Sequence, residues 1–213
     1  MGTVIVRNHD LLIDKLSDTA KPVKRVWPTR WRVVAWIIAV LPCGTLTSWA
    51  LHNRFTDWSQ AGAVPALVAL LLSFIIGASA MAAAFTLSIA GRQPLRLKWA
   101  ALLAVLWLGV NLLNMSPSST LKVGEGVHCY LFMLLASLPM IVISIASLHR
   151  TRSLYPGKTL ALAGCGIAFM CSMLLSLCHE VHLHRFDFAM HLTAGLSIII
   201  LTVLAGRRWV RLS

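Results

Sequence analysis

Residues Val64–Ile89 read VPALVALLLSFIIGASAMAAAFTLSI, without one charged side chain. A helix needs about 20 apolar residues to cross roughly 30 Å of hydrocarbon, so this stretch alone predicts a membrane span. A lone strand is excluded, because it cannot satisfy its backbone hydrogen bonds in lipid. The rest of the chain agrees. Of its 213 residues, 58% are hydrophobic and 12% charged, where a soluble domain carries about 25% charged residues. Five further runs qualify: Val33–Leu51, Trp99–Asn114, Tyr130–Leu148, Thr159–Leu177 and Phe188–Leu204. Trp99–Asn114 is short and Val64–Ile89 long, so their tilts must differ. The expected fold is all-α, a six-span transmembrane helical bundle over residues 31–213. A cytoplasmic tail with a short helix, residues 1–30, precedes it.

A formal net charge of +12 first suggests nucleic acid. The basic residues instead sit in short clusters between apolar runs, which is a topology pattern. Sixteen Lys and Arg fall in the tail, in the segments after the second and fourth runs, and at the C-terminus. Only Arg54, Lys122 and Arg185 fall on the other side. The positive-inside rule then places both termini in the cytoplasm. Trp27, Trp31, Trp99 and Trp209 lie near one predicted boundary, and Trp49 and Trp58 near the other. The first apolar run begins too late for a usual signal peptide.

Within the tail, Asn8 or Asp10 can cap a helix that runs to about Leu16–Thr19 and ends before Pro22. Leu12, Ile13, Leu16 and Ala20 share one face, with Asp10, Asp14, Lys15 and Asp18 elsewhere. Such a helix is marginal alone in water. It is either a frayed tail whose basic end sets topology, or a binding element whose apolar face a partner covers.

No Asp, Glu, Lys or Arg lies inside the six runs, which argues against a pump or ion-coupled transporter. Asn111 and Asn114 are the most polar residues of the runs, and an interhelical hydrogen bond suits them. Gly77, Ala80 and Ala84, and Gly164 and Ala168, have small-xxx-small spacing for close helix packing. Pro42 and Pro139 interrupt apolar runs and predict kinks.

The densest chemistry is Leu177-Cys178-His179-Glu180-Val181-His182-Leu183-His184, joined on the same side by His128-Cys129. Thiolate and imidazole are the ligands of zinc, copper and softer thiophilic ions. A transition-metal ion held among His128, Cys129, Cys178, His179, His182 and His184 is one reading. A polar loop that is merely rich in histidine is the other. His182 and His184 are two apart, not on one helical face, so a compact site needs a loop here. In an oxidising compartment Cys129 and Cys178 would pair or react. Cys43, Cys165 and Cys171 lie deeper and read as packing. The chain has no phosphate-binding Gly-rich loop, no HExxH and no Ser-His-Asp arrangement, so it reads as no enzyme.

Three stretches carry a resemblance. Asp10-Leu11-Leu12-Ile13-Asp14-Lys15-Leu16 leads to Lys21-Pro22-Val23-Lys24-Arg25. His128-Cys129-Tyr130-Leu131 continues through Ser137-Leu138-Pro139 to Leu148-His149-Arg150. The third is Leu177-Cys178-His179-Glu180. Together they resemble the NrsF-like family of bacterial membrane anti-sigma factors, negative regulators of sigma F. The chain departs from that family at Leu177, where His is usual, and at His179, where Pro is usual. The resemblance implies an inner-membrane protein whose tail holds an extracytoplasmic-function sigma factor away from RNA polymerase. In that reading Leu12, Ile13 and Leu16 anchor the partner, and Asp10 and Asp14 answer its basic residues. It also implies that Cys129 and Cys178 take part in release under metal or oxidative stress. Two rival readings remain, a small metal or metabolite transporter with a His/Cys-lined mouth and a membrane oxidoreductase using the two thiols.

Overall fold

The computed structural model describes residues 2–19, 26–51, 56–60, 62–89, 91, 97–115, 123–151, 153–178, 181 and 184–210. Seven helices account for nearly all of them: α1 Gly2–Thr19, α2 Thr29–Ala50, α3 Ala63–Leu87, α4 Leu97–Leu113, α5 Val123–His149, α6 Pro156–Ser176 and α7 Arg185–Val210. Among the described residues there is no strand. Each apolar run of the sequence lies on one of the helices α2–α7. Four stretches are long and apolar enough to cross a membrane: Ala63–Leu87, Val127–His149, Pro156–Ser176 and Arg185–Val210. The α4 helix is apolar but shorter, at 17 residues. The first turn of α2 holds Arg30 and Arg32, which lowers its apolarity.

Helices α2–α7 alternate in direction, so the bundle has two ends. The Arg32 end gathers the starts of α2 and α6 and the finishes of α3, α5 and α7. There Arg32 reaches Phe85 and Ser147, and the Ser153 N–H donates to the Val210 carbonyl at 3.2 Å. The Cys178 end gathers the opposite termini, and Thr56 Oγ1 there donates to the Ser176 carbonyl at 3.0 Å. Trp27, Trp31, Trp99 and Trp209 are exposed at the first end and Trp49 at the second, where amphipathic indoles suit a membrane boundary.

The α6 helix is the centre. It packs on α3, α7, α5 and, less extensively, α2. In its most apolar stretch 61% of residues are buried, against 22% in α7. Glycines let it approach its neighbours. A Cβ on Gly166 would sit 3.0 Å from the Gly77 carbonyl oxygen of α3, and one on Gly77 would sit 3.1 Å from the Gly166 carbonyl oxygen. On the α7 side, a Cβ on Gly164 would meet the Ile199 Cα at 2.8 Å. Small residues of this kind allow backbone-to-backbone contact where lipid supplies no hydrophobic drive between helices. The core that results holds Trp36, Met81, Phe85, Phe132, Met133, Met140, Ile167, Met170 and Ile198. Pro42 and Pro139 lie inside α2 and α5, which both continue past them.

The N-terminal helix departs from expectation. It starts at Gly2 and has 18 residues, instead of starting at a cap on Asn8 or Asp10. A β-branched residue costs a helix only a few tenths of a kcal/mol, so Thr3-Val4-Ile5-Val6 does not stop it. Asn8 and Asp10 are then ordinary interior positions. Pro22 and the basic stretch Lys21–Arg25 lie outside the described residues.

Candidate functional site

Every residue of α1 from His9 to Thr19 is exposed. Leu12 is 55% exposed, Ile13 61% and Leu16 61%. At about 100° per residue these three fall in one arc of the helix, and Asp10, Asp14 and Asp18 fall in the next. The C-terminal turn is closed by its own side chains: Ser17 Oγ donates to the Asp14 carbonyl at 3.0 Å and Thr19 Oγ1 to the Lys15 carbonyl at 2.8 Å. The apolar arc from Leu12 to Leu16 is left uncovered.

At the Cys178 end the sequence-predicted residues separate by burial. Cys129, near the start of α5, is 6% exposed and belongs to the core. Cys178 follows α6, is half-buried, and its N–H donates to the Leu175 carbonyl at 2.8 Å. None of the five cysteines is in a disulfide. His128 is exposed. His184 is half-buried just before α7, and its Nδ1 is buried without a hydrogen-bond partner. His179 and His182 lie outside the described residues. Among the described residues no three His, Cys, Asp or Glu side chains come together as a metal set. Deeper in the core, Cys171 Sγ lies 3.7 Å from Met140 Sδ.

Sequence reasoning missed two features here. The first is Asp187. The apolar run was read as starting at Phe188, but α7 begins at Arg185 and takes Asp187 into its first turn. The carboxylate is 2% exposed and its Oδ2 has no hydrogen-bond partner. The positive end of the helix dipole is the compensation its position offers.

The second is a polar cleft between α3, α4, α6 and α7, lined by Thr56, Ser73, Trp107, Asn111, Asn114, Ser172, Ser176, Phe188 and His191 with smaller apolar groups. Trp107 Nε1 donates to Ser73 Oγ at 2.7 Å, which joins α4 to α3. The Trp107 ring stands edge-on to Phe169, with centroids 5.1 Å apart, and tilts over Phe188 at 6.0 Å. Asn114 Nδ2 donates across to the Val181 carbonyl at 3.0 Å, the long-range bond its polarity predicts. Asn111 instead donates to the Trp107 carbonyl within its own helix. The i, i+4 spacing of Ser172 and Ser176 on α6 was the available sequence signal. Hydroxyls and amides of this kind hold water or a small hydrogen-bonding solute.

At the opposite end stands Arg32, in the first turn of α2. One guanidinium nitrogen, Nη1, donates to the Phe85 carbonyl at 3.4 Å and to Ser88 Oγ at 3.5 Å. The other, Nη2, donates to the Ser147 carbonyl at 3.4 Å and to Thr151 Oγ1 at 3.5 Å. The group also lies over the Phe85 ring, 4.3 Å from its centroid. Phe85 and Ser147 are in the last turns of α3 and α5, where helix carbonyls lack partners and the dipole favours a cation. One turn further along α2, Trp36 Nε1 donates to the buried Ser144 Oγ of α5 at 2.8 Å.

No known family, no characterised protein and no solved structure matches this chain.

Proposed function

We propose that the protein is a membrane-bound anti-sigma factor that sequesters an extracytoplasmic-function sigma factor through α1. In this reading it crosses a bacterial inner membrane six times with both termini in the cytoplasm, and it binds no nucleic acid itself. One observation carries the proposal: Leu12, Ile13 and Leu16 form an uncovered apolar arc beside Asp10 and Asp14, on a helix tethered to an apolar bundle. Such an arc is covered either by lipid or by a partner. Lipid-surface helices carry Lys and Arg beside the apolar face, whereas on α1 Asp10, Asp14 and Asp18 outnumber Arg7 and Lys15 and repel anionic headgroups. A protein with a basic rim fits better, and the resemblance of the tail names a sigma factor.

The signal in this reading arrives at the Cys178 end. Cys129 and Cys178 respond to an oxidant or, with His128, His179, His182 and His184, to a transition-metal ion. Co-purification of the full chain with the host's sigma factors is the decisive experiment. Capture of one of them by the wild-type protein and its loss in a Leu12→Asp, Leu16→Asp double variant is the expected result. If the double variant retains its partner and represses normally, α1 is not the sequestering element.

A small transporter is the second reading, and the polar cleft is what favours it. Toward the Arg32 end, however, the core is Met81, Phe85, Met140, Leu148 and Leu160, none of which can relay an ion.

A further inference from the structure

The tail joins the bundle at α2, whose apolar face packs on the core, and two polar contacts of unequal quality lie near that junction. The Trp36–Ser144 bond is buried and short, at 2.8 Å. The four contacts of Arg32 are all at 3.4–3.5 Å, beyond the usual 2.7–3.2 Å range for N–H···O bonds. A small displacement therefore loses the Arg32 hydrogen bonds before the tryptophan bond, although the guanidinium still lies over the Phe85 ring. The pair has the form of a pivot with a weak catch beside it. The catch lies closer to the tail: the Pro28 carbonyl, at the entry to α2, accepts the N–H groups of Trp31 at 3.0 Å and Arg32 at 3.2 Å.

The catch also reads the position of two helices. Its acceptors are on α3 with the adjoining Ser88, and on α5 with the adjoining Thr151. The same α5 carries Cys129 near its other end, 18 residues before Ser147, which is about 27 Å of helix. A movement of α5 along its axis at the Cys178 end thus reaches the root of the tail. Only arginine suits this place: its fork of N–H donors serves acceptors on two helices at once, which the single ammonium of lysine does not reproduce.

We propose that Arg32 is a positioning residue, a latch that fixes the root of the tail to the ends of α3 and α5 and keeps α1 presented to its partner. This rests on the reading of α1 as the output. The latched state is the sequestering one, and a shift of α5 opens it.

Arg32→Lys tests the latch without changing the charge that orients the chain. The first measurement is hydrogen–deuterium exchange on the full purified chain in detergent, which requires no partner. In Arg32→Lys, amides at residues 31–35 and at Thr151 should exchange at least tenfold faster than in wild type, with α6 unchanged. Equal rates at those amides, or faster exchange throughout α6 as well, overturn the latch. The second measurement is repression in cells. Arg32→Lys should raise unstimulated expression of the target genes several-fold, and the purified full chain should capture the sigma factor several-fold more weakly than wild type. Wild-type repression by the variant, or undiminished capture of the sigma factor in solution, overturns the latch. If the wild-type chain itself captures no sigma factor, the anti-sigma reading fails, and the exchange rates still decide whether Arg32 holds the junction.

Discussion

Helices α1 and α6 are of similar length, 18 and 21 residues, and have opposite fates. The α6 helix is hemmed in by four others, and Gly164, Gly166 and Ala168 give it the thin surface this requires. The described residues of α1 from His9 onward are all exposed, and its leucines touch no core. Apolar residues in α6 are accounted for by the fold. Leu11, Leu12, Ile13 and Leu16 of α1 stay exposed, and in the proposed reading a partner covers them.

That contrast predicts opposite responses to substitution. The largest loss of stability should follow Gly166→Leu. Its Cβ meets backbone oxygen at 3.0 Å and backbone nitrogen of Met81 at 3.2 Å, neither of which can rotate away. Overpacking of this kind costs about 1–3 kcal/mol, and a lower midpoint in thermal unfolding of the detergent-solubilised protein would report it. An unchanged midpoint would mean that α3 and α6 do not touch there. Leu16→Asp should leave that midpoint where it is, yet weaken partner capture at least tenfold, since burying one leucine contributes about 1.5–3 kcal/mol. A fall in the midpoint would show that α1 packs on the bundle after all.

Smaller effects sharpen the same boundary. Trp36→Phe removes one buried hydrogen bond and part of a buried ring but leaves Ser144 Oγ donating to the Met140 carbonyl at 2.7 Å, so a loss of about 1–2 kcal/mol is expected. The smallest effect belongs to Asp57, in the exposed segment between α2 and α3. Hydrogen bonds from the Ser59 side chain, the Ser59 N–H and Gln60 hold its carboxyl below the ordinary carboxylate range. The folded value is the depressed one. What the turn contributes is therefore present above the unfolded carboxylate pKa of about 3.9 and fades as pH falls through the folded value. Asp57→Ala should abolish that acid dependence with little change in midpoint at pH 7.

The positions of α2–α7 were legible because a lipid-facing helix must be apolar over most of its length, and runs of that length are visible without any partner. What was not legible depends on who faces whom. Gly166 is one glycine among several until Gly77 lies across from it. Arg32 reads as one of seven basic residues of the tail, and only the ends of α3 and α5 turn it into a cap for two helices. Asp187 was lost through a boundary drawn one residue late, since a charged residue looks like the end of a span although burial continued past it. The cleft was hidden for a further reason: serine is compatible with a span, and its hydroxyl bonds to its own helix as readily as to a neighbour, as Ser176 Oγ does to the Ser172 carbonyl at 2.9 Å. The start of α1 was misplaced because Asn and Asp signal a cap only when the preceding residues refuse the helix.

The reciprocal contact between Gly77 and Gly166 also constrains how the molecule can move. Where Gly77 and Gly166 face each other, each carbonyl oxygen lies 3.0–3.1 Å from where the other residue's Cβ would stand, so no side chain of either residue can change rotamer there to take up a displacement. The two helices must travel together as one stiff spine. In the proposed reading a signal passing between the two ends of the bundle would travel around that spine, by sliding or tilting of α5, which meets α2 through a hydroxyl and an indole.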